Sequence, residues 1–516
     1  MHSSLFLYGV LGILVLSVVR LLYASLASPL RSIPGPLAAR FTRLWYLNRV
    51  RYGHFETENI SLHRKYGKLV RISPDCYSID DPAAIKQIYG ISSKFRKGDW
   101  YYGWQHPDPN RFTLFADTNI KRHAENRKRF QAMYSMSSLV NYEPFVDRCG
   151  QIFEDRMREF AAGKDGSVTN MGHWFQCYAF DVIACITYGD RFGFLDRGED
   201  IDGAIDQLWR VMLYSTLIGI YSKLHAVLFP WTSKLPWTGA SGRVYVMNFV
   251  QKQLDKRKME RKKRDAEKGH AGAKQRDEND SLPQDFLEKM MNAHEEDPEK
   301  VTAYHVFMVG QSNIIAGSDT TAISISAILY YLLKYPQAMQ KLKAEIKDAE
   351  TKGACSNPVI TFKESLAMPY LQAVMKEALR MHPATGLPLW RVVPEGGAQI
   401  SGHFFPAGTT IGVNTWHAHR NEDVFGPDAN SFRPERWLEA NPDQLRRMDA
   451  YYMPFGLGSR TCIGRHISEL EMSKLIPRLV RDFDFELEKS GKDWETENFW
   501  FVKPTDFNVR IRMAEK

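Results

Sequence analysis

The chain has 516 residues, of which 44% are hydrophobic and 25% are charged. This composition is that of an ordinary globular protein and excludes a collagen-like, coiled-coil or disordered chain. The formal net charge is +8, but segment 252–276 alone carries eleven Lys or Arg and four Asp or Glu, a net of +7. This local charge has no interleaved aromatic residues, so the sequence predicts no nucleic-acid partner.

An apolar segment opens the chain: Leu5–Val19 carries no charge, and apolar residues resume after Arg20. A membrane-spanning helix needs about 20 such residues, and an arginine near its end can snorkel to the headgroups. A cleaved signal peptide is the alternative, because Ser25-Leu26-Ala27 resembles a cleavage site, but no positive charge precedes the apolar residues. Positive charges follow them instead. The sequence therefore predicts a membrane anchor over residues 1–28, with the rest of the protein on the cytoplasmic side.

A proline-rich hinge over residues 29–39 ends the anchor helix, because proline cannot continue a helix. Residues 40–516 contain no linker that divides them, so we expect one domain. Segment 252–281 is the best candidate boundary, and we interpret it as a surface loop between two helices. The fold class is mainly α with a minor β part. Helical patterns cover Val146–Phe160, Ile201–Leu217, Gly242–Asp265, Ala303–Lys334 and Gln337–Glu350, and strand patterns cover Leu69–Ile72, Ala398–Ile400 and Thr409–Val413.

Segment Tyr221–Trp237 is rich in aromatic and aliphatic residues and contains two prolines. Two interpretations stay open at this point. The segment is either part of the buried core or a surface element that enters the bilayer beside the anchor, as amphipathic segments with tryptophan do.

The strongest motif is Phe455–Gly464, with the sequence Phe-Gly-Leu-Gly-Ser-Arg-Thr-Cys-Ile-Gly. It begins like a dinucleotide fingerprint, but Thr461 stands where the third glycine belongs and Met453-Pro454 replaces the buried strand. A buried structural cysteine is the other alternative. The glycines argue against it, because they permit tight turns against a flat, bulky group and leave amides free to point at a sulfur.

The motif resembles the haem-binding loop Phe-x-x-Gly-x-Arg-x-Cys-x-Gly of the cytochrome P-450 superfamily at every fixed position. The resemblance implies a single-domain cytochrome P-450 fold behind the anchor, haem b as cofactor, and Cys462 as the proximal iron ligand. A thiolate ligand favours cleavage of the O–O bond. The other five cysteines form no Cys-x-x-Cys pair, which favours neither zinc nor a disulfide framework.

Two further motifs fit this resemblance. Glu377 and Arg380 are three residues apart and face the same side of a helix, and by resemblance Arg436 completes a buried structural network with them. Segment Ala316–Thr321 places glycine, Asp319 and two threonines inside an apolar helical pattern, where they are poor helix formers. A helix boundary capped by Asp319 is one interpretation, and a local opening of the helix at a ligand site is the one we favour.

The family pattern assigns roles to more residues. Asp319 would relay protons from solvent, and Thr320 would place its hydroxyl where oxygen is activated. His123 and Arg127 match the family spacing Trp-x-x-x-Arg, with histidine in place of tryptophan. The resemblance implies that the haem propionates are bound by the side chains of His123, Arg127, Arg391 and Arg460.

The sequence contains no segment that resembles a flavin or nicotinamide domain. Resemblance to microsomal filamentous-fungal members, including pisatin demethylase-type enzymes, implies electrons from NADPH–haemoprotein reductase, with cytochrome b5 as a further donor, at the endoplasmic reticulum membrane. Candidate residues for a basic docking face are Lys121, Arg122, Lys128, Arg129 and Arg465. An apolar secondary metabolite would bind against walls formed by Trp104–Leu114, Ile314–Ile315, Thr385–Leu387 and Phe499–Phe501.

Three alternatives remain at this stage: a haem-thiolate isomerase or dehydratase that does not use O₂, a soluble haem-thiolate nitric oxide reductase, and a haem or gas sensor. The Asp319-Thr320 pair argues against the first and the third, because those functions need no proton relay to oxygen. The predicted anchor argues against the second.

Overall fold

The computed structural model describes Tyr8, Gly12, Val19 and residues 27–163, 165–270, 283–489 and 491–515. Most of the predicted anchor therefore lies outside the described residues. Among those that are described, no helix combines the length and the apolar character that a membrane crossing requires.

Helices make up most of the described chain, as the sequence predicts. Each of the five predicted long helices is present, with ends within a few residues of the predicted ones. The α-helices of eight residues or more are α1 (Phe55–Tyr66), α2 (Pro82–Tyr89), α3 (Ile120–Phe130), α4 (Glu143–Ala161), α5 (Met171–Tyr188), α6 (Ala204–Ile220), α7 (Lys223–Thr232), α8 (Gly239–His270), α9 (Phe286–Glu296), α10 (Ala303–Lys334), α11 (Pro336–Thr351), α12 (Pro369–Met381), α13 (Pro442–Tyr451) and α14 (Arg465–Asp482).

Segment 252–281 begins as a helix, as the predicted helix Gly242–Asp265 requires, but the predicted loop is wrong over residues 266–270, because α8 continues to His270. The rest of the predicted loop, residues 271–281, lies outside the described residues. Lysine, arginine, glutamate and alanine are good helix formers, and ion pairs one turn apart support an exposed helix. Lys256 and Glu260 form such a pair at 3.8 Å. Arg257 also holds α8 against the start of α9, where its guanidinium lies 2.8 Å from the Asp285 carboxylate.

The β structure is minor and divided among small sheets. The strands are β1 (Leu69–Ser73), β2 (Cys76–Ile79), β3 (Arg96–Lys97), β4 (Ser167–Asn170), β5 (Arg391–Val392), β6 (Ala398–Ile400), β7 (His403–Phe405), β8 (Thr410–Gly412), β9 (Phe483–Leu487), β10 (Thr496–Phe499), β11 (Phe501–Pro504) and β12 (Asn508–Met513). A mixed five-stranded sheet has the order β1-β2-β8-β5-β3, a three-stranded antiparallel sheet has the order β4-β12-β9, and β6-β7 and β10-β11 are hairpins. The three predicted strands correspond to β1, β6 and β8.

Helix α10 occupies the centre and packs against α5, α12 and α14. It runs unbroken through Ala316–Thr321, so neither predicted alternative, a boundary or a local opening of the backbone, is correct. Apolar residues on both sides of this segment are buried in the core, which keeps the helix intact. The Thr320 hydroxyl donates to the Ala316 carbonyl at 2.7 Å, a bond that hydroxyl side chains form inside helices.

The predicted network around Glu377 is confirmed. Its carboxylate accepts two hydrogen bonds from Arg380, at 2.7 and 2.9 Å, and one from Arg436 at 3.3 Å, and all three side chains are buried. Arg380 also donates to the carbonyl of His419 at 2.6 Å, and the His419 ring accepts the Met453 amide at 2.9 Å. The network therefore supports the chain two residues before the cysteine loop.

The hinge packs onto the first sheet. Leu30 and Ile33 are buried. The Arg71 amide of β1 donates to the Pro34 carbonyl at 2.8 Å, and its guanidinium donates to the Leu30 carbonyl at 2.7 Å. These contacts fix the direction in which the chain leaves the domain toward its N-terminus.

Candidate functional site

The cysteine loop is shaped by close backbone contacts. The Cys462 amide donates to the Phe455 carbonyl at 2.8 Å, which closes the loop. Gly458 has a φ of 59°, and a Cβ at this position would lie 2.0 Å from the carbonyl oxygen of Tyr89, so only glycine fits. Burial raises the pKa of the Cys462 thiol, while the Gly464 amide and Arg127 act in the opposite direction. A bound cation would complete the conversion to thiolate.

Helix α10 lies over this loop. The two parts meet where the Thr321 hydroxyl donates to the Ser468 hydroxyl at 3.2 Å, in the first turn of α14. On the N-terminal side of this contact, the side chain of Cys462 is uncovered in the loop although the desolvated sulfur lies inside the protein, and Ala316 is uncovered in the middle of an otherwise buried helix. Both surfaces therefore line an internal space between the helix and the sulfur.

Five basic side chains converge beside this space: Lys97, His123, Arg127, Arg391 and Arg460. The Arg127 guanidinium donates to the Thr461 carbonyl at 2.8 Å, next to the cysteine. Both terminal nitrogens of Arg460 are buried without a hydrogen-bond partner. Burial and then the charges of Arg460, Lys97, Arg127 and Arg391 lower the pKa of His123 to about 3, so its ring is neutral at physiological pH.

The cluster lacks matching negative charge. Within the described chain, the acid that faces Lys97 and Arg460 is Asp117. Its carboxylate already accepts two hydrogen bonds from Arg122, at 2.8 and 2.9 Å. Burial and then Arg391 lower the pKa of Arg460 to about 10. Buried cations without a partner are costly, so the cluster is built for an anionic ligand.

The four basic residues predicted from the sequence are thus brought together with a fifth, Lys97, that sequence reasoning missed. Lys97 follows another basic residue in a two-residue strand and belongs to no recognisable motif. Its position became evident only from the pairing of β3 with β5, which sets Lys97 opposite Arg391.

Asp319 lies in a second polar group, on the side of α10 that faces α5. Its Oδ1 accepts hydrogen bonds from Gln176 Nε2 and, at 3.3 Å, from Lys503 Nζ. Lys503 Nζ also donates to Gln176 Oε1 at 2.7 Å. Thr320 is partly exposed and points about 100° away around the helix. Sequence reasoning found Asp319 and Thr320 but not Gln176 or Lys503, which lie outside any motif.

Three of the four predicted wall segments meet at the tip of the β10-β11 hairpin. Trp500, with a φ of 81°, forms this tip and is buried. The hairpin is fixed on the carbonyl side of Trp500 by the Gly386 amide, which donates to the Trp500 carbonyl at 2.9 Å, and by a bridge between Thr385 and Phe501. The Trp500 ring lies 6.0 Å from the Trp104 ring, centroid to centroid. The fourth segment contributes Ile315, which borders both halves of the apolar core.

The candidate docking residues lie on α3 and at the start of α14, the two helices that flank the cysteine loop. Lys121, Lys128 and Arg465 are exposed. Arg122 is committed to Asp117, and Arg129 donates to the Lys300 carbonyl at 2.9 Å. The face nearest the sulfur is therefore basic, with three of the five predicted side chains directed to solvent.

Residues 34–509 of the chain match the family model that is described as cytochrome P450. The chain belongs to the cytochrome P-450 family. Pisatin demethylase of Fusarium vanettenii is 38% identical over 94% of this chain and 89% of its own. The cytochrome P-450 monooxygenases cicH of Emericella nidulans and gsfF of Penicillium aethiopicum are 34% and 33% identical, over 96% and 95% of both chains.

As a cytochrome P-450, the protein is an oxidoreductase of the monooxygenase class that binds haem b through a cysteine thiolate. Cytochrome P-450 monooxygenases take electrons from redox partners and act on organic substrates. The residues fit this cofactor. The unpartnered nitrogens of Arg460 and the opposed cations Lys97 and Arg391 suit two propionates, and Cys462 is uncovered beside the Thr461 carbonyl that Arg127 contacts.

Proposed function

We propose that this cytochrome P-450 inserts one oxygen atom of O₂ into a small apolar organic substrate of secondary metabolism, with electrons from NADPH supplied by a partner reductase. The overall reaction is RH + O₂ + NADPH + H⁺ giving ROH + H₂O + NADP⁺. The observation that carries the proposal is the contact of α10 with α14 just after the cysteine loop, where Thr321 bonds Ser468, with Cys462 and Ala316 both uncovered on the N-terminal side of that contact.

In this proposal Cys462 holds the haem iron, and His123, Arg127, Arg391 and Arg460 hold the propionates. The bound haem supplies the oxygen-activating chemistry, and its thiolate ligand favours O–O cleavage. The neutral His123 ring can donate a hydrogen bond without adding to the repulsion among the arginines.

Proton supply is the part that the chain itself performs. Asp319 is buried, with its side chain 6% exposed, whereas the Lys503 side chain is 29% exposed and in contact with it. Lys503 therefore connects solvent to a carboxylate that water reaches poorly. Thr320 is partly exposed beside Ala316, and in this proposal its hydroxyl turns away from the Ala316 carbonyl, to which it donates at 2.7 Å, and passes a proton on. General acid catalysis of this kind contributes about 10²–10⁴-fold in typical enzymes.

The substrate class follows from the wall. The rings of Trp104, Phe115 and Trp500 lie within 6.0 Å of one another, measured between centroids. Such a surface favours carbon-rich, poorly soluble molecules and excludes charged ones. This fits a secondary metabolite, and the name of the pisatin demethylase relative is consistent with oxidation of such a compound.

Membrane attachment is also part of the proposal. The anchor over residues 1–28 would leave the domain through the hinge that packs on β1. Near it, α7 and the residues after it expose apolar side chains: 65% of Val227, 74% of Trp231 and 70% of Trp237 are exposed. The Arg43 guanidinium, just after the hinge, donates to the Ile220 carbonyl at 3.0 Å, immediately before α7.

This position favours the surface interpretation of Tyr221–Trp237 over the core interpretation. Anchor and patch would lie on the endoplasmic reticulum membrane, with the catalytic domain in the cytoplasm. The exposed cations Lys121, Lys128 and Arg465 would then be available to the acidic face of NADPH–haemoprotein reductase, and to cytochrome b5 as a further electron donor.

One experiment tests the proposed reaction against an isomerase, a dehydratase or a gas sensor. The purified protein is incubated with NADPH, reductase and a candidate metabolite under isotopically labelled O₂. We expect substrate-dependent NADPH consumption and one labelled oxygen atom in the product. Product formation that needs neither O₂ nor NADPH would show that the chemistry is non-oxygenating.

A further inference from the structure

Lys97 is a buried lysine that faces other cations. The antiparallel register of β3 with β5 sets it directly opposite Arg391. The exposed fraction is 6% for Lys97 and 4% for Arg391. Like charges opposite each other on neighbouring strands repel, and burial removes the water that would screen them. Burial, and then Arg391 and Arg460, hold the pKa of Lys97 well below its usual value. Asp117 also faces Lys97, but its carboxylate is bonded to Arg122, so a further negative charge is needed to stabilise the ammonium form.

On its other side, Lys97 contacts residues of the pocket wall. Its Nζ donates to the Phe115 carbonyl and lies 4.1 Å from the centroid of the Tyr101 ring and 4.3 Å from that of Phe115. Phe115 belongs to segment 105–119, which has no regular secondary structure and joins the short helix Asp99–Trp104 to α3. An ammonium group attracts both a carbonyl oxygen and the faces of aromatic rings, and a neutral amine does so far less.

We propose that Lys97 couples haem binding to the ordering of the pocket wall. Lys97 binds a haem propionate together with Arg391 and Arg460, and this anion stabilises the ammonium form of the lysine. The ammonium group then holds Phe115 in position beside the substrate. Lys97 is thus a positioning residue, because it acts on the substrate through Phe115. The inference rests on haem binding, which the family establishes, and not on the proposed oxygen insertion.

Hydrogen–deuterium exchange of the haem-loaded protein tests the coupling. We compare segment 105–119 in the wild type, Lys97→Met, Lys97→Arg and the matched control Arg96→Met. Arg96 is the neighbouring cation, but its guanidinium pairs with Asp99 at 2.7 Å at the surface. Loss of a hydrogen bond from a charged donor should raise exchange of this segment about tenfold in Lys97→Met. Lys97→Arg and Arg96→Met should exchange like the wild type.

A second exchange experiment tests the role of the haem propionates directly. Wild-type protein loaded with haem dimethyl ester keeps the iron but has neutral propionate groups. We expect its segment 105–119 to exchange as fast as in Lys97→Met, and we expect Lys97→Met with the ester to show no further increase. If Lys97→Met retains too little haem for study, the ester-loaded wild type decides alone.

Two results would overturn the proposal. One is unchanged exchange of segment 105–119 in Lys97→Met, and the other is unchanged exchange in the ester-loaded wild type. The absorption band of the reduced carbon monoxide complex, which reports the thiolate bond, is recorded for each sample. A normal band with unchanged exchange refutes the role of Lys97 while it leaves haem ligation and oxygen insertion intact.

Discussion

Lys503 of the C-terminal hairpin forms an ion pair with Asp319 of the central helix, with 3.3 Å between Nζ and Oδ1. The same hairpin carries Trp500 and Phe501 in the pocket wall. One short element therefore contacts the substrate region at its tip and the proposed proton donor three residues later.

The first prediction removes this ion pair. Lys503→Met should lower product formation about tenfold, less than the roughly 10²-fold expected for Asp319→Asn, because water can still reach part of the relay. The solvent isotope effect on product formation should increase, since proton supply becomes slower. Lys489→Met is the matched control: Lys489 is an exposed lysine near the C-terminus that pairs with Asp506. Equal rates and isotope effects in Lys503→Met and Lys489→Met would show that protons reach Asp319 by another route.

The second prediction concerns the iron ligand. Cys462→Ala should abolish the red-shifted band that reduced, thiolate-ligated haem gives with carbon monoxide. Cys355→Ala should retain it, because Cys355 lies beside Arg481, far along the chain from the loop. A normal band in Cys462→Ala would mean that another cysteine holds the iron.

The third prediction concerns Thr320. Thr320→Ala should keep haem and NADPH oxidation, form at least about 10²-fold less hydroxylated product and release more hydrogen peroxide, because protons no longer reach the reacting oxygen. Product and peroxide per NADPH are the quantities to measure.

Thr321→Ala serves as its comparison. The Thr321 hydroxyl bonds Ser468 between α10 and α14, so this variant should lose about 1 kcal/mol of stability and keep its coupling. Unchanged coupling in Thr320→Ala would assign Thr320 a packing role and reopen the non-oxygenating alternatives.

The fourth prediction concerns the Glu377 network. Burial alone would raise the pKa of Glu377, but Arg380 and Arg436 more than offset this and hold it below its usual value. The network therefore stabilises the fold at neutral pH and loses this contribution as pH falls through the lowered pKa. Glu377→Ala leaves the buried Arg380 without a carboxylate partner, whereas Arg436 keeps Asp428 at 2.6 Å, and should cost about 3–5 kcal/mol. Thermal unfolding of the haem-loaded protein measures the loss, and a variant as stable as the wild type would refute the assignment.

The fifth prediction concerns topology. Sequons occur at Asn59 and Asn279. Asn59 is buried and its side chain donates to the Ser78 hydroxyl at 3.1 Å, so it is inaccessible on either side of a membrane. Asn279 lies outside the described residues and is the informative site. We expect no mass change on endoglycosidase treatment of protein from a eukaryotic host, whereas glycan on Asn279 would place the domain in the lumen.

Residues in periodic or motif contexts were predictable from the sequence. The limits of α10 follow from its apolar pattern, and the Phe455–Gly464 loop follows from its glycines and cysteine. Lys97, Gln176 and Lys503 were not predictable, because their importance depends on which strand or helix lies beside them. Four of the five cations at the propionate site were implied by the family resemblance, and only the fifth, Lys97, came from the register of β3 with β5. The unbroken α10 shows that burial on both sides outweighs weak local helix propensity.

Tyr89 touches both halves of the haem site. Its carbonyl oxygen fills the space beside Gly458 in the cysteine loop, and its ring lies 4.9 Å from the Arg391 guanidinium. Substitutions at positions 89, 391 and 458 therefore depend on one another during evolution. A different side chain at one of them would alter the spacing between the sulfur and the propionate-binding cations. In directed evolution toward new substrates, these three positions should be held fixed while the residues of the hairpin tip are randomised.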